Sequence, residues 1–218
     1  DLPTVLITHL SDVIRRHARE LLGRQEVQQL LDNLKKSYPK VVEELVPNQL
    51  PLGAVGKVLQ NLLMEQIPIR DLLTILETLS DWAPMIKDAD MLTEYVRQAL
   101  ARTITKLYQS PEGNIPVITL DQSVEKIVAQ AIQHTEQGSF LPIEPNIARK
   151  IMKSVTRNLE KFSQLNQQPV VLCSPLIRLH FKRLADRFIP DLVVLSYNEI
   201  VNNIQIHSIG TVVVDDAN

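Results

Sequence analysis

With a single cysteine, Cys173, this chain can neither close an internal disulfide nor build a Cys-rich metal site, which fits a reducing compartment such as a cytoplasm. Its six glycines are too few for a phosphate-cradling loop. The closest pair, Gly53 and Gly56 in Gly53-Ala54-Val55-Gly56, is followed by neither a Lys-Ser/Thr nor a third glycine. No apolar run approaches the roughly 20 residues that span a bilayer, and the N-terminus lacks the charged-then-apolar order of a secretory signal. Neither sign of charge dominates. At net charge −2 there is no global bias toward nucleic acid or an anionic membrane, so any partner must be recognised locally. The chain opens on Asp1 rather than methionine, and the expectation is a piece of something longer.

What remains is an ordinary balance of 44% hydrophobic and 22% charged residues over 218 positions. At that size a chain buries about 70% of the surface its unfolded form exposes and divides by default into two domains. The cleanest pattern lies between Ile67 and Trp82. Leu72, Ile75, Leu76, Leu79 and Trp82 recur at three- and four-residue steps, while Asp71, Thr74, Glu77, Thr78 and Asp81 cover the other face. Pro68 bars a helix from running through, so this helix starts at Arg70 after a short extended link.

Further helices are expected around it at about 4–22, 24–37, 38–46, 52–65 and, as one long element, 88–109. After the turn-forming Ser110-Pro111-Glu112-Gly113-Asn114 the pattern becomes α/β. A strand is expected at 115–120, a helix capped by Asp121 and ending near His134, a turn at Gly138 and a helix over about 145–165. A βαβ unit follows in Val170 to Cys173, Pro175 to Phe188 and Leu192 to Ser196. A last strand, 204–214, is expected to turn Ile204, Ile206, Val212 and Val214 inward. The fold class is therefore α+β and multi-domain: a helical subdomain, then a small α/β subdomain with a mostly parallel sheet of about four strands.

Chemistry is sparse. His9 and His17 are eight residues apart, about 80° around a helix and two turns distant, which is not the i, i+4 pair of a zinc hydrolase; His17 reads as a core histidine on an apolar face. Cys173-Ser174-Pro175 is the one place where a nucleophile could stand. The glycines of a nucleophile elbow are missing, and Ser174 before Pro175 reads as a helix N-cap. Ser196-Tyr197-Asn198-Glu199 has capping-box spacing. Arg178, Lys182, Arg183 and Arg187 flank an apolar helix face and are expected to snorkel around it. As a DNA-recognition helix, the stretch from Arg70 to Trp82 would repel phosphate, since Asp71, Glu77 and Asp81 oppose one arginine. On the first helix, Thr8, Asp12, Arg15 and Arg19 fall on one polar face, opposite the buried one. Two function classes stand at this point: an interaction module, and a hydrolase using Cys173 or Ser174.

Specific stretches go further. Thr8-His9-Leu10, Arg15-Arg16-His17-Ala18-Arg19-Glu20-Leu21-Leu22-Gly23-Arg24-Gln25-Glu26, Val58 to Leu63, Ile69 to Glu77, Leu92 to Leu100 and Val193 to Glu199 resemble, in order, the cytoplasmic part of the export-gate family of type III protein secretion. Leu21 to Glu26 looks like the flagellar branch rather than the virulence one. The resemblance implies a non-enzymatic docking and gating role at the cytoplasmic face of the bacterial inner membrane. A membrane domain would lie elsewhere in the full protein, and this piece would not itself insert. It implies three parts here: 1–22 as the last helix of a truncated subdomain, 23–109 helical and 110–218 α/β. It implies no cofactor and no metal, and no nucleic acid as partner. The implied partners are flagellar export chaperones with their substrates, components of the export ATPase complex, and other copies of the chain in a nine-membered ring. Thr8 would lie where the family places a wall of its chaperone groove, with Asp12, Arg15 and Arg19 beside it; Arg70, Asp71, Glu94 and Arg97 are implied candidates for contacts between subunits.

Overall fold

The computed structural model describes residue 17 and residues 20–135, 138–164 and 167–214. It resolves into two compact units, one up to Leu100 and one from Ala101 onward.

The first unit is helical: α1 Arg24–Lys35, α2 Pro39–Leu45, α3 Leu52–Met64, α4 Leu72–Trp82 and α5 Ala89–Ala99. Its core is built by the stripes that the sequence displays. Leu72, Ile75, Leu76 and Leu79 of α4 are buried with Val55, Val58, Leu59 and Leu62 of α3 and Leu92 and Val96 of α5. α5 packs against both α3 and α4. Trp82, at the end of the α4 stripe, is only half-buried and stacks on Tyr95 of α5, ring centroids 3.8 Å apart and planes 19° apart. Polar contacts add register: Asn61 donates to Asp90 Oδ1 at 3.0 Å and to Thr93 Oγ1 at 3.1 Å, across α3 and α5. α4 begins at Leu72 rather than Arg70, because Asp71 is its N-cap and accepts the Thr74 N–H at 3.3 Å. Asp88 does the same for α5, accepting from Met91 N–H at 2.9 Å.

The helix expected to run unbroken over 88–109 is two helices. α5 ends at Ala99, Leu100 leaves the helical region at φ −85° and ψ 14°, and α6 Ala101–Tyr108 follows. α6 makes its contacts with the second unit, where the Thr105 hydroxyl donates to the Glu199 carbonyl at 3.3 Å and accepts the Val201 N–H at 3.1 Å.

The second unit continues with β1 Asn114–Leu120, α7 Gln122–Ala131, β2 Gln133–Thr135, β3 Gly138–Phe140 and α8 Pro145–Leu159. β4 Val170–Cys173, α9 Arg178–Ala185, β5 Val193–Ser196 and β6 Gln205–Val212 complete it. The main sheet is wholly parallel, in the order β5-β4-β1-β6, which bears out the small parallel sheet read from the sequence. β4 is buried at every position and β1 at nearly every one, as the continuous apolar runs of central parallel strands demand. β6 is an edge strand and behaves differently: Gln205 to Ser208 are exposed, including Ile206, and inward packing begins only toward Val212. The expected inward set of Ile204, Ile206, Val212 and Val214 thus reduces to Val212 as its one fully buried member, after a register shift opposite Val117 and Ile118.

Other departures are local. α7 stops at Ala131, and Gln133–Thr135 pairs antiparallel with Gly138–Phe140 in a small ribbon where a helix end and a turn were expected. Gly138, at φ 125°, supplies the backbone conformation that this reversal requires. The ribbon is tied to α9 by Ser139 Oγ and His180 Nε2, 3.1 Å apart. His180 is buried, and burial first, then Arg183 and His134, pushes its imidazole pKa below the ordinary 6.5.

The basic residues of α9 do not simply ring its apolar face. Arg178 is sealed inside, with its Nε 3.7 Å from Glu199 Oε1 and its Nη1 donating to the Val194 carbonyl at 3.2 Å. Glu199 is equally buried; its other oxygen accepts the Ser196 N–H at 2.9 Å and completes the capping box that the spacing announced, here around a single 3₁₀ turn. Lys182 bonds Asp186 Oδ1 at 2.6 Å and the Leu192 carbonyl at 2.9 Å. Only Arg183 and Arg187 of this group point to solvent.

Two predictions follow from the buried groups. Removing one partner of a buried pair strands the other charge. Glu199→Ala is therefore expected to lower the opening free energy of β4 and β5, read by native-state hydrogen exchange, by about 3–5 kcal/mol. Arg178→Met with Glu199→Leu should cost less than either single change. For His180, the native state holds its proton less tightly than the unfolded chain. Its contribution is fully present above about pH 6.5 and is lost as pH falls through the lower native value. Urea midpoints should drop between neutral and acidic pH, and His180→Gln should flatten part of that slope.

Candidate functional site

Thr8, Asp12, Arg15 and Arg19 lie outside the described residues. Just beyond them the segment is anchored to the first unit: Leu22 is buried and its carbonyl accepts Gln60 Nε2 of α3 at 2.8 Å. His17 is exposed, with Nδ1 2.9 Å from Glu20 Oε2, so the apolar-face reading of this histidine is corrected. Leu21 stands 62% exposed, beside the buried Leu22.

The four residues proposed for subunit contacts do not share one environment. Arg70 is exposed in the link before α4, and Asp71 is exposed with one carboxylate oxygen committed to capping. Glu94 is half-buried on α5, one turn after the exposed Met91. Arg97 is 1% exposed and forms an ion pair with Glu65 at 3.1 Å. A guanidinium so enclosed has no surface to present to another molecule; it braces α5 against the end of α3. A helical wheel places Arg97 near the apolar face, but no sequence signal names Glu65, 32 residues earlier, as its counter-charge.

At the carboxyl ends of β4 and β5 the residues considered for hydrolysis are engaged in structure. Cys173 is wholly buried, its thiol 3.7 Å from the Leu195 carbonyl. Ser174 N–H donates to Glu125 Oε1 at 2.8 Å, and its hydroxyl accepts the Leu176 N–H at 3.3 Å. That bond closes a turn before the helix instead of capping it. α9 begins only at Arg178, so the N-cap role for Ser174 is corrected as well. Burial, then Glu125 and Cys173, pushes the Tyr197 phenol above its ordinary 10.0. The half of the unit around α9 holds His180, whose Nε2 lies 3.1 Å from Ser139 Oγ. Across the sheet, hydrogen bonds from the Ser123 hydroxyl and N–H hold the Asp121 carboxyl below its usual value, which stabilises the start of α7. Among the described residues no group of three His, Cys, Asp or Glu side chains could hold a metal ion, and no helix is long and apolar enough to cross a membrane.

Several known proteins resemble this chain along nearly its whole length. The flagellar biosynthesis protein FlhA of Bacillus subtilis (strain 168) is 46% identical over 212 residues, covering 97% of this chain and 31% of that protein. FlhA of Escherichia coli (strain K12) is 42% identical over 96% of this chain and 30% of its own length. The low calcium response locus protein D of Yersinia pestis is 33% identical over 95% of the chain and 29% of its length. The chain thus spans under a third of the curated relatives it matches. Among solved structures, the Chlamydia pneumoniae CdsV protein superimposes with a TM-score of 0.90 at 35% identity, covering 96% of this chain and 60% of that one. Nonameric SctV-C of EPEC gives 0.81 at 33% identity, over 93% and 61%. CdsV in its complex with the CdsO protein gives 0.87 at 33% identity, over 98% and 62%. The FHIPEP family matches residues 1–205, and on this agreement of sequence and fold the chain belongs to that family.

Proposed function

We propose that this chain is the C-terminal docking and gating portion of a bacterial flagellar type III export gate, acting at the cytoplasmic face of the inner membrane without catalysing a reaction. The observation that carries the reading is the match over 97% of the chain to a flagellar FlhA at 46% identity, against 33% to the low calcium response protein. In this reading residues 1–22 close a preceding subdomain, and the helical and α/β parts follow it.

Three kinds of partner belong to the proposal. Flagellar chaperones carrying substrates dock beside Thr8, Asp12, Arg15 and Arg19. Other copies of the chain meet through the helical unit, with Arg70, Asp71 and Glu94 at the contact and Arg97 holding α5 in place behind them; the nonameric assembly of SctV-C supports this. A soluble component of the export ATPase complex engages the same protein, as the CdsV and CdsO complex suggests by likeness.

The test is a chimera in which this chain replaces the matching segment of Bacillus subtilis FlhA. Swimming motility and flagellin secretion should be restored, and normal protein levels without secretion would overturn the reading. In the same background Arg15→Glu with Arg19→Glu is expected to weaken capture of chaperone-substrate complexes by roughly tenfold, about 1.4 kcal/mol, in a pull-down titration. Arg70→Glu should reduce assembly, measured by sedimentation, while leaving capture by single subunits unchanged.

A further inference from the structure

One surface of the second unit is used by none of the contacts described so far. Between α7 and α8 a groove of about 600 Å³ opens to solvent. Ile127, Ile147 and Val214, each half-buried, supply its apolar walls. Arg149, Lys150 and Lys153 stand exposed along its rim, within little more than one turn of α8. Arg149 donates to the Asn146 side chain, and none of the three cations forms an ion pair with a described carboxylate. Among the described residues of the lining, Glu144 is the single acid. The first turn of α8, through Asn146 and Ile147, faces the same space, so its N–H groups add positive partial charge.

In a chain of net charge −2, three cations against one acid among the described residues of an apolar concavity are a local departure from the average. We infer that this groove is a docking site for an acidic segment of a partner protein, one that seats an apolar side chain between Ile127, Ile147 and Val214 while its carboxylates meet Arg149, Lys150 and Lys153. A concave site with an apolar floor selects a side chain, whereas a flat array of anionic headgroups would meet only the rim. Arg149 can take a carboxylate in two parallel hydrogen bonds, and the lysines add point charge that speeds encounter. The inference stands apart from the chaperone and ring contacts, since binding at this groove requires neither assembly nor export.

The experiment uses the whole chain and a fluorescein-labelled peptide in which glutamates flank a pair of leucines, read by anisotropy at low salt and at about 0.3 M salt. Methyl-labelled isoleucine spectra report the site. The acidic peptide should bind, shift the Ile127 and Ile147 methyl signals and lose affinity in salt. Lys150→Glu with Lys153→Glu should weaken it at least tenfold, with unchanged far-ultraviolet circular dichroism. Equal binding of a peptide with lysine in place of glutamate would overturn the inference, as would silent Ile127 and Ile147 methyls. Phosphatidylglycerol vesicles that bind through Lys150 and Lys153 while the peptide does not would assign the patch to lipid instead. Asp215 and Asp216 follow Val214 directly. If Asp215→Asn with Asp216→Asn moves the same methyls in the absence of peptide and raises peptide affinity tenfold, the groove belongs to the chain's own acids and the partner reading falls.

Discussion

An arginine and a glutamate, both shut away from water, tie the α/β unit together. Arg178 reaches from α9 under β5 to the Val194 carbonyl, and Glu199 turns back from the end of the same strand to hold the Ser196 N–H. Neither charge could stay buried without the other, because the desolvation of each is offset only by their attraction and by these hydrogen bonds. The pair therefore demands that α9, β5 and the turn after it form together. The Glu199 carbonyl in turn accepts from Thr105, so α6 is held against the same point. A core of Val, Ile and Leu alone would pack as densely but would fix these elements less uniquely.

The helical unit has the same device in miniature. Its apolar stripes provide the driving force, and Arg97 with Glu65, together with Asn61 between Asp90 and Thr93, determines how α5 lies on α3. Glu65 and Glu199 both sit where an element ends and the chain changes direction, a place where side-chain packing alone is least directional.

Periodicity made much of this visible from the residues. The α4 stripe, the acidic cap at Asp121, the βαβ unit and the capping box at Ser196 are local patterns, each decided within a few residues, and they stand as read. What was not visible depends on partners far away in the chain. No wheel shows that Arg178 faces inward toward Glu199, or that the run from Asp88 to Gln109 breaks at Leu100 because α6 belongs to different contacts. The ribbon over Gln133 to Phe140 has too short a pattern to announce itself, and exposure of Ile206 follows from β6 being the sheet's edge, which only topology reveals. At the proposed docking strip, Thr8, Asp12, Arg15 and Arg19 share a face by helical geometry alone, while Arg97 shows how a charge that looks available in sequence can be consumed inside. The groove beside α8 combines residues from three separated segments, which no local pattern brings together.

Trp82 is the sole tryptophan of the chain, and its ring lies against Tyr95 in the helical unit. Its emission, and energy transfer to it from the stacked tyrosine, therefore track the melting of α4 from α5 and carry no direct signal from the parallel sheet. A denaturation curve followed by indole fluorescence and one followed by backbone ellipticity would coincide only if the two units unfold as one, so a gap between them measures the independence of the halves without any added label.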